Sequence, residues 1–283
     1  MIVDAHTHSW ARWPYPPAAP EAGWRGRYPN LIHEMDAAGV AAAVVVSAAL
    51  AGNPRNNSYV AAAVAACPGR LHQFADVDSR WSPRYHRAGA AGRLASLADR
   101  LRPAGISHYL AAENDGWLRS AEGRAFLAAA GRRGLPVSLA AAPCWFADVR
   151  DAAGSVPRTA VLLNHLALVA LHPDGMRTGL DIVRQGASRA NLVVKVSGYY
   201  YGNERPWDYP FRDRLEIVRA FYETWGPDRM VWASDYPASA PHITYRQSLE
   251  LLREHAGFID PADLPLVLGG TMRALLDGTW SPE

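Results

Sequence analysis

The chain has 283 residues, 49% of them hydrophobic, with 29 basic and 27 acidic side chains and a formal net charge of +2. A balance this even, with no Lys/Arg run, excludes an electrostatic grip on nucleic acid or an anionic membrane surface. Two cysteines, Cys67 and Cys144, make no disulfide framework, and no secretory leader is legible at the N-terminus, so the expected setting is the cytoplasm.

In chain order, apolar runs that read as strands alternate with amphipathic runs that read as helices. The strands are expected at Ile2–His8, Ala42–Ser47, Leu71–Val77, Ile106–Ala111, Pro136–Ala141, Thr159–His165, Leu192–Ser197 and Met230–Asp235. Between them lie helical patterns at Asn30–Ala38, Asn57–Ala66, Gly89–Leu101, Ala121–Gly131, a weak one near Ala147–Ala152, Met176–Gly186 and Asp213–Trp225. A helical tail follows at Tyr245–His255 and Pro261–Leu276. Strands this continuously apolar are buried on both faces, as parallel strands are. Eight of them alternating with helices predict an α/β protein, a single (β/α)8 TIM barrel spanning residues 1–283. The longest apolar run, Ala37 to Ala51, is broken by glycine and serine and is too short to span a bilayer. Two irregular stretches, Trp10 to Pro29 and Gly198 to Pro210, follow strand C-terminal ends. In a barrel those ends carry the active site, and long loops there cap or line it.

The residues with the strongest chemical signal open the chain: Asp4-Ala5-His6-Thr7-His8. On a strand, the i, i+2 spacing puts both imidazoles on one face, a half-site for a divalent metal. Asp235 ends the last expected strand, which closes the barrel beside the first, so its carboxylate should meet His6 and His8 as ligand, general base or both. His165, at the end of the sixth strand, should point into the mouth. His108, in the fourth strand, and Lys195, a lysine inside an apolar strand, are candidate substrate contacts. A buried lysine needs a partner or a depressed pKa, and pairing with a core carboxylate is an equal alternative for Lys195. Trp10, Trp13, Tyr15, Tyr199, Tyr200, Tyr201 and Trp207 can wall a pocket for a large, partly aromatic or polycyclic substrate. The same aromatics would serve as well to pin long loops to the barrel rim.

These motifs together resemble the amidohydrolase superfamily, and within it the amidohydrolase-2 branch, closest to its lactonase-type members acting on sugar lactones and pyrone-dicarboxylate lactones. The resemblance rests on Asp4–His8 with Trp10, Gly105–His108 followed by Glu113-Asn114-Asp115, Asn164-His165-Leu166, Asn191 through Gly198, and Gly226–Arg229 through Ser234-Asp235-Tyr236-Pro237. It implies that His6, His8 and Asp235 hold one divalent ion, zinc in some relatives, although others in the branch hydrolyse lactones with no metal. It implies further that Asp235 activates water and that His165 lies in the site. The expected fifth strand contains no histidine, which argues against a binuclear centre. Relatives often carry arginine before the fourth-strand histidine. Here Ser107 stands in that place, which argues against a strongly anionic substrate clamped in the same way.

The expectation is therefore a hydrolase that opens a lactone or related cyclic ester, with Asp235 and His165 catalytic. His108, Lys195, Trp10, Tyr199, Tyr200 and Tyr201 are expected to bind a small-molecule substrate. Barrels of this kind often form homo-oligomers. Two rivals remain open at this point. One is a metal-dependent non-oxidative decarboxylase of an aromatic or enoic acid. The other is a biosynthetic cyclase or binding protein with a degenerate metal site.

Overall fold

Burial on both faces makes a strand nearly all apolar, and here it closes a ring of eight. The computed structural model describes residues 1–15, 23–50 and 52–282, apart from the side chain of Val183. The strands are β1 (Val3–Thr7), β2 (Ala42–Val46), β3 (Leu71–Asp76), β4 (Gly105–Tyr109), β5 (Val137–Ala140), β6 (Val161–Leu163), β7 (Leu192–Val196) and β8 (Met230–Trp232). They pair in sequence order, every ladder parallel. The ring is drawn together between β8 and β1 by a parallel bridge from Thr7 to Tyr236 and by Asp235 N donating to the His6 carbonyl at 2.9 Å. This is the (β/α)8 barrel expected from the alternation.

The helices are α1 (Tyr28–Ala38), α2 (Asn56–Ala66), α3 (Ala90–Leu101), α4 (Ala121–Gly131), α5 (Phe146–Ser155), α6 (Met176–Gly186), α7 (Arg212–Trp225), α8 (Tyr245–His255) and α9 (Thr271–Asp277). Two starts show a local reason. Ser120 accepts from Gly123 N ahead of α4, and Thr244 forms a reciprocal capping box with Gln247 ahead of α8. No helix among the described residues is long and apolar enough to cross a membrane.

Alternation along the strands sorts the side chains. Ala43, Val45, Val137, Leu139, Leu192 and Val194 face the helices. Val44, Phe74, Leu162, Val193 and Val231 pack with one another inside the barrel. Each such side chain contributes about 1.5–3 kcal/mol on burial. The result is a rigid apolar floor beneath whatever stands higher in the barrel.

The tail departs from the single helical run expected at Pro261–Leu276. It breaks into a wide turn at Leu266–Gly270 followed by the short α9. The cause is contact with the start of β1. A Cβ on Gly269 would lie 2.4 Å from the Met1 carbonyl oxygen and 2.7 Å from Val3 N, so only glycine allows the two backbones to meet. The segment docks on the barrel instead of continuing as a regular helix.

Candidate active site

β1 changes phase near the barrel mouth, where its register against β2 shifts between Asp4 and Thr7. Val3 and Ala5 join an apolar cluster with Met272 and Leu275 of α9. Beyond the shift His6 and His8 turn to the same interior, and their Nε2 atoms come within 3.0 Å of each other. Nδ1 of His8 lies 2.7 Å from the Val46 carbonyl, which can only accept. The proton therefore sits on Nδ1, and Nε2 presents its lone pair to the mouth. Trp10 is fully buried behind this ring, stacked on it at 4.9 Å, with its indole N–H donating to the Ala48 carbonyl.

Asp4 ties the first and last strands together: its Oδ1 accepts from His6 N at 3.1 Å and from Ser234 N at 3.0 Å. The chain then turns at Asp235, whose φ is +57°, and throws the carboxylate back toward β1. Asp235 Oδ1 stands 3.7 Å from His6 Nε2 and 3.6 Å from His8 Nε2. Its Oδ2 accepts the Tyr200 hydroxyl at 2.7 Å. Burial raises this carboxyl to about 7, against the lowering effect of the Tyr200 bond and with a further push from Asp4.

His165 follows β6 directly and, like Asp235, has a left-handed backbone, φ +55°. Its Nδ1 meets Ser197 Oγ at 2.9 Å, and its ring lies 4.8 Å from that of His6. Burial and the nearby Lys195 charge hold His165 well below the ordinary histidine range, so it is neutral at pH 7. The approach depends on Gly198, at φ +69°. A Cβ there would stand 2.6 Å from His165 Cβ and 2.7 Å from Tyr201 Cδ2.

Four of the expected residues occupy other places than a substrate-contacting wall. His108 is on the outward face of β4, bonded through Nδ1 to the Val77 carbonyl at 2.8 Å and packed against Trp117 and Phe126. It belongs to the shell between barrel and helices. Tyr199 is buried, stacked with Phe211, and its hydroxyl donates to the Val196 carbonyl, so it pins its loop. Trp10 supports His8 from behind. Lys195 lies beneath the histidines, fully buried, its Nζ 3.0 Å from His6 Nδ1 and 2.8 Å from Ser138 Oγ. Burial lowers this lysine to about 7, with Asp4 and Asp235 pulling it back up. Tyr200 and Tyr201 do face the centre; their rings lie 4.5 Å apart, and Tyr201 lies 5.1 Å from His165.

Tyr109 was not among the expected site residues. Its hydroxyl stands 3.4 Å from the Nε2 atoms of both His6 and His8. The signal was present in the sequence: if position 107, where relatives often carry a substrate-clamping arginine, faces the pocket, strand alternation puts residue 109 on the same face and residue 108 on the other.

Whether these side chains suit a metal ion is a matter of spacing and donor type. The three candidate ligand atoms lie within 4.8 Å of one another, and all three residues are buried; among the described residues no other such group occurs. Tetrahedral zinc with bonds of about 2.0–2.1 Å places its donors about 3.3 Å apart, close to the 3.0, 3.6 and 3.7 Å found here. Two imidazoles and a carboxylate are a donor set that zinc accepts. The residues fit the ion.

Residues 3–278 match the model of the amidohydrolase family. The chain belongs to that family. No curated protein matches the chain. Among solved structures, this amidohydrolase is similar to one from Burkholderia multivorans with bound zinc, at 20% identity and TM-score 0.78, covering 98% of this chain and 99% of the other. It is similar also to a probable 2-pyrone-4,6-dicarboxylic acid hydrolase from Acinetobacter baumannii with citric acid bound, at 19% identity and TM-score 0.73, with the same coverage. A third is 5-carboxyvanillate decarboxylase from Sphingomonas paucimobilis, at 15% identity and TM-score 0.63, covering 98% of each chain.

Proposed function

We propose that this amidohydrolase opens a lactone or related cyclic ester by attack of water, using one divalent ion, zinc, on His6, His8 and Asp235. The observation that carries the reading is the position of Asp235. Its Oδ1 faces both imidazoles at 3.6–3.7 Å while Tyr200 holds its Oδ2, so the carboxylate is oriented and screened from bulk water. An ion held there would lower the pKa of a water and polarise the ester carbonyl.

The protein groups divide the proton work. Asp235, oriented by Tyr200, is placed to take the proton of the attacking water and to return it to the departing ring alkoxide; in the ion-free site burial raises its carboxyl to about 7. Tyr109, its pKa pushed well above that of free tyrosine by burial, stays protonated and can donate to the oxygen that gains charge. Neutral His165, held by Ser197, orients the water or supports that same oxygen.

The test is Asp235→Asn against a panel of lactones, followed by acid release. The fold is expected to persist and kcat to fall by about 10²–10⁴-fold. An unchanged kcat would remove Asp235 from the chemistry. Similarity to a decarboxylase from Sphingomonas keeps a second reaction in view. Carbon dioxide release from aromatic acids, with no ring opening of any lactone, would replace the first reading with that one.

A further inference from the structure

Asp76, at the end of β3, is a buried carboxylate that the ring-ester chemistry does not use. It is 7% exposed, and the groups bonded to it are neutral. Ser79 Oγ donates to its Oδ1, and Trp81 Nε1 and Ala49 N donate to its Oδ2 at 2.7 and 3.4 Å. Asn57 of α2 fixes its backbone, accepting from Asp76 N at 2.9 Å and donating to the Asp76 carbonyl at 2.8 Å. A carboxylate held out of water without a cation is destabilising unless its donors are fixed around it. What this one fixes leads to a single residue of the barrel mouth.

Both side-chain donors come from the loop that follows β3, and both bear on Tyr109. Ser79 Oγ, while donating to Asp76, accepts from Tyr109 N at 2.9 Å. The Trp81 ring packs on the ring of Tyr109 at 4.7 Å, tilted by 46°. Between them, Arg80 N donates to the Tyr109 carbonyl at 2.9 Å. Main chain and ring of Tyr109 are thus set by three consecutive residues that one carboxylate gathers. At the far end of that ring the hydroxyl stands 3.4 Å from the Nε2 atoms of both His6 and His8. The placement leaves little freedom. A tilt of roughly 10° about Cα swings a phenol oxygen by about 1 Å, an error that can cost about 100-fold in rate.

We propose that Asp76 and Trp81 are positioning residues for the Tyr109 hydroxyl. Asp76 holds the indole, and the indole holds the phenol ring at the angle that carries its oxygen to the two histidines. The inference rests on the reading of Tyr109 as donor to the oxygen that gains charge. It makes the aim of that donor a property of the β3 loop, acting through Tyr109 and not on the reacting atoms.

A fluorine at the 3-position of the Tyr109 ring reports its placement by NMR in chelator-treated protein. Dihydrocoumarin, an aromatic lactone, reports turnover of the zinc-loaded enzyme. Trp81→Phe keeps a ring beside Tyr109 and loses the bond to Asp76; Asp76→Leu loses both side-chain bonds. Each is expected to move the fluorine resonance toward its position in the unfolded chain. Each is expected to lower kcat by about 10- to 100-fold with KM nearly unchanged. Asp76→Asn, which keeps an acceptor for Trp81, is expected to recover most of the loss. In a Tyr109→Phe background, itself slower by about 10²–10³-fold, Trp81→Phe should cost little more, because the hydroxyl it places is gone. An equal loss in both backgrounds overturns the proposal, as does a Trp81→Phe enzyme with wild-type kcat or a fluorine resonance that neither exchange moves. A resonance that follows Trp81, in a wild type that opens no lactone, would sink the hydrolase reading and leave the positioning of Tyr109 standing.

Discussion

Replacing Lys195 by methionine is expected to stabilise the metal-stripped protein below neutrality and destabilise it in alkali. The ammonium is fully buried in the barrel, and its pKa falls from the ordinary 10.5 to about 7, chiefly through burial. Above both values neither state is charged and the group contributes nothing. As pH falls from 10.5 toward 7, the unfolded chain takes the proton and the folded chain does not, so wild-type stability drops by about 1.36 kcal/mol per pH unit. Below about 7 the full penalty is present, about 5 kcal/mol. Methionine removes that penalty. It also leaves His6 Nδ1 without its partner and takes one donor from Ser138 Oγ, which keeps its 2.8 Å bond to Asn164. Those losses cost about 2 kcal/mol. The variant should therefore be about 3 kcal/mol more stable at pH 6, equal near pH 9 and about 2 kcal/mol less stable above pH 10. Urea unfolding at several pH values, after exhaustive chelation, reads this directly as midpoints that cross. A stability difference that stays flat from pH 6 to pH 10 would show that Lys195 keeps an ordinary pKa and would refute the reasoning.

Three further outcomes follow from named contacts. Gly198→Ala places a methyl group 2.6 Å from His165 Cβ at a φ of +69°; a loss of well over about 1 kcal/mol in stability is expected, and an unchanged melting temperature would contradict the packing. Tyr200→Phe removes the bond that lowers the Asp235 pKa, so the acid limb of kcat/KM against pH is expected to move to higher pH; a fixed limb would separate Asp235 from that ionisation. Zinc added to chelator-treated wild type at about 100 times its Kd should add about 2.7 kcal/mol of stability. His8→Ala should abolish the rise, and an equal rise in that variant would place the ion elsewhere.

The barrel was legible because its signal is redundant. Eight runs such as Val44-Val45-Val46 and Val193-Val194 announce strands buried on both faces, and each expected strand has its counterpart in the ladder. The convergence of His6, His8 and Asp235 followed from chain order alone, since the first and last strands of a closed ring are neighbours. What the sequence hid is the phase of the other strands. His108 draws attention as a histidine, yet the neighbouring Tyr109 is the residue that enters the mouth. The three consecutive tyrosines look alike, but a loop has no periodicity to sort them; one anchors on Phe211 and two turn to the centre.

The strand ends differ from expectation in a way that bears on mechanism. The apolar runs suggest that β6 and β8 continue to His165 and Asp235, but they end at Leu163 and Trp232. Beyond them, His165, Leu166, Ala167 and Leu168 all take left-handed φ values of 52–55°, and Asp235 takes 57°. Such a conformation costs roughly 1–2 kcal/mol for a residue with a Cβ, and four in succession demand strong surroundings. Ser197 on the His165 ring, Tyr200 on the Asp235 carboxylate and the close approach of Gly198 provide them. Continuing either strand in regular extended form would alternate its side chains between floor and shell, and could not aim both residues at one point. Leaving the strand at those positions turns an imidazole and a carboxylate inward, over an apolar layer too tightly packed to let them relax. Strain of this kind persists where geometry is held for chemistry, and here it falls on the two residues assigned to move or steer the proton.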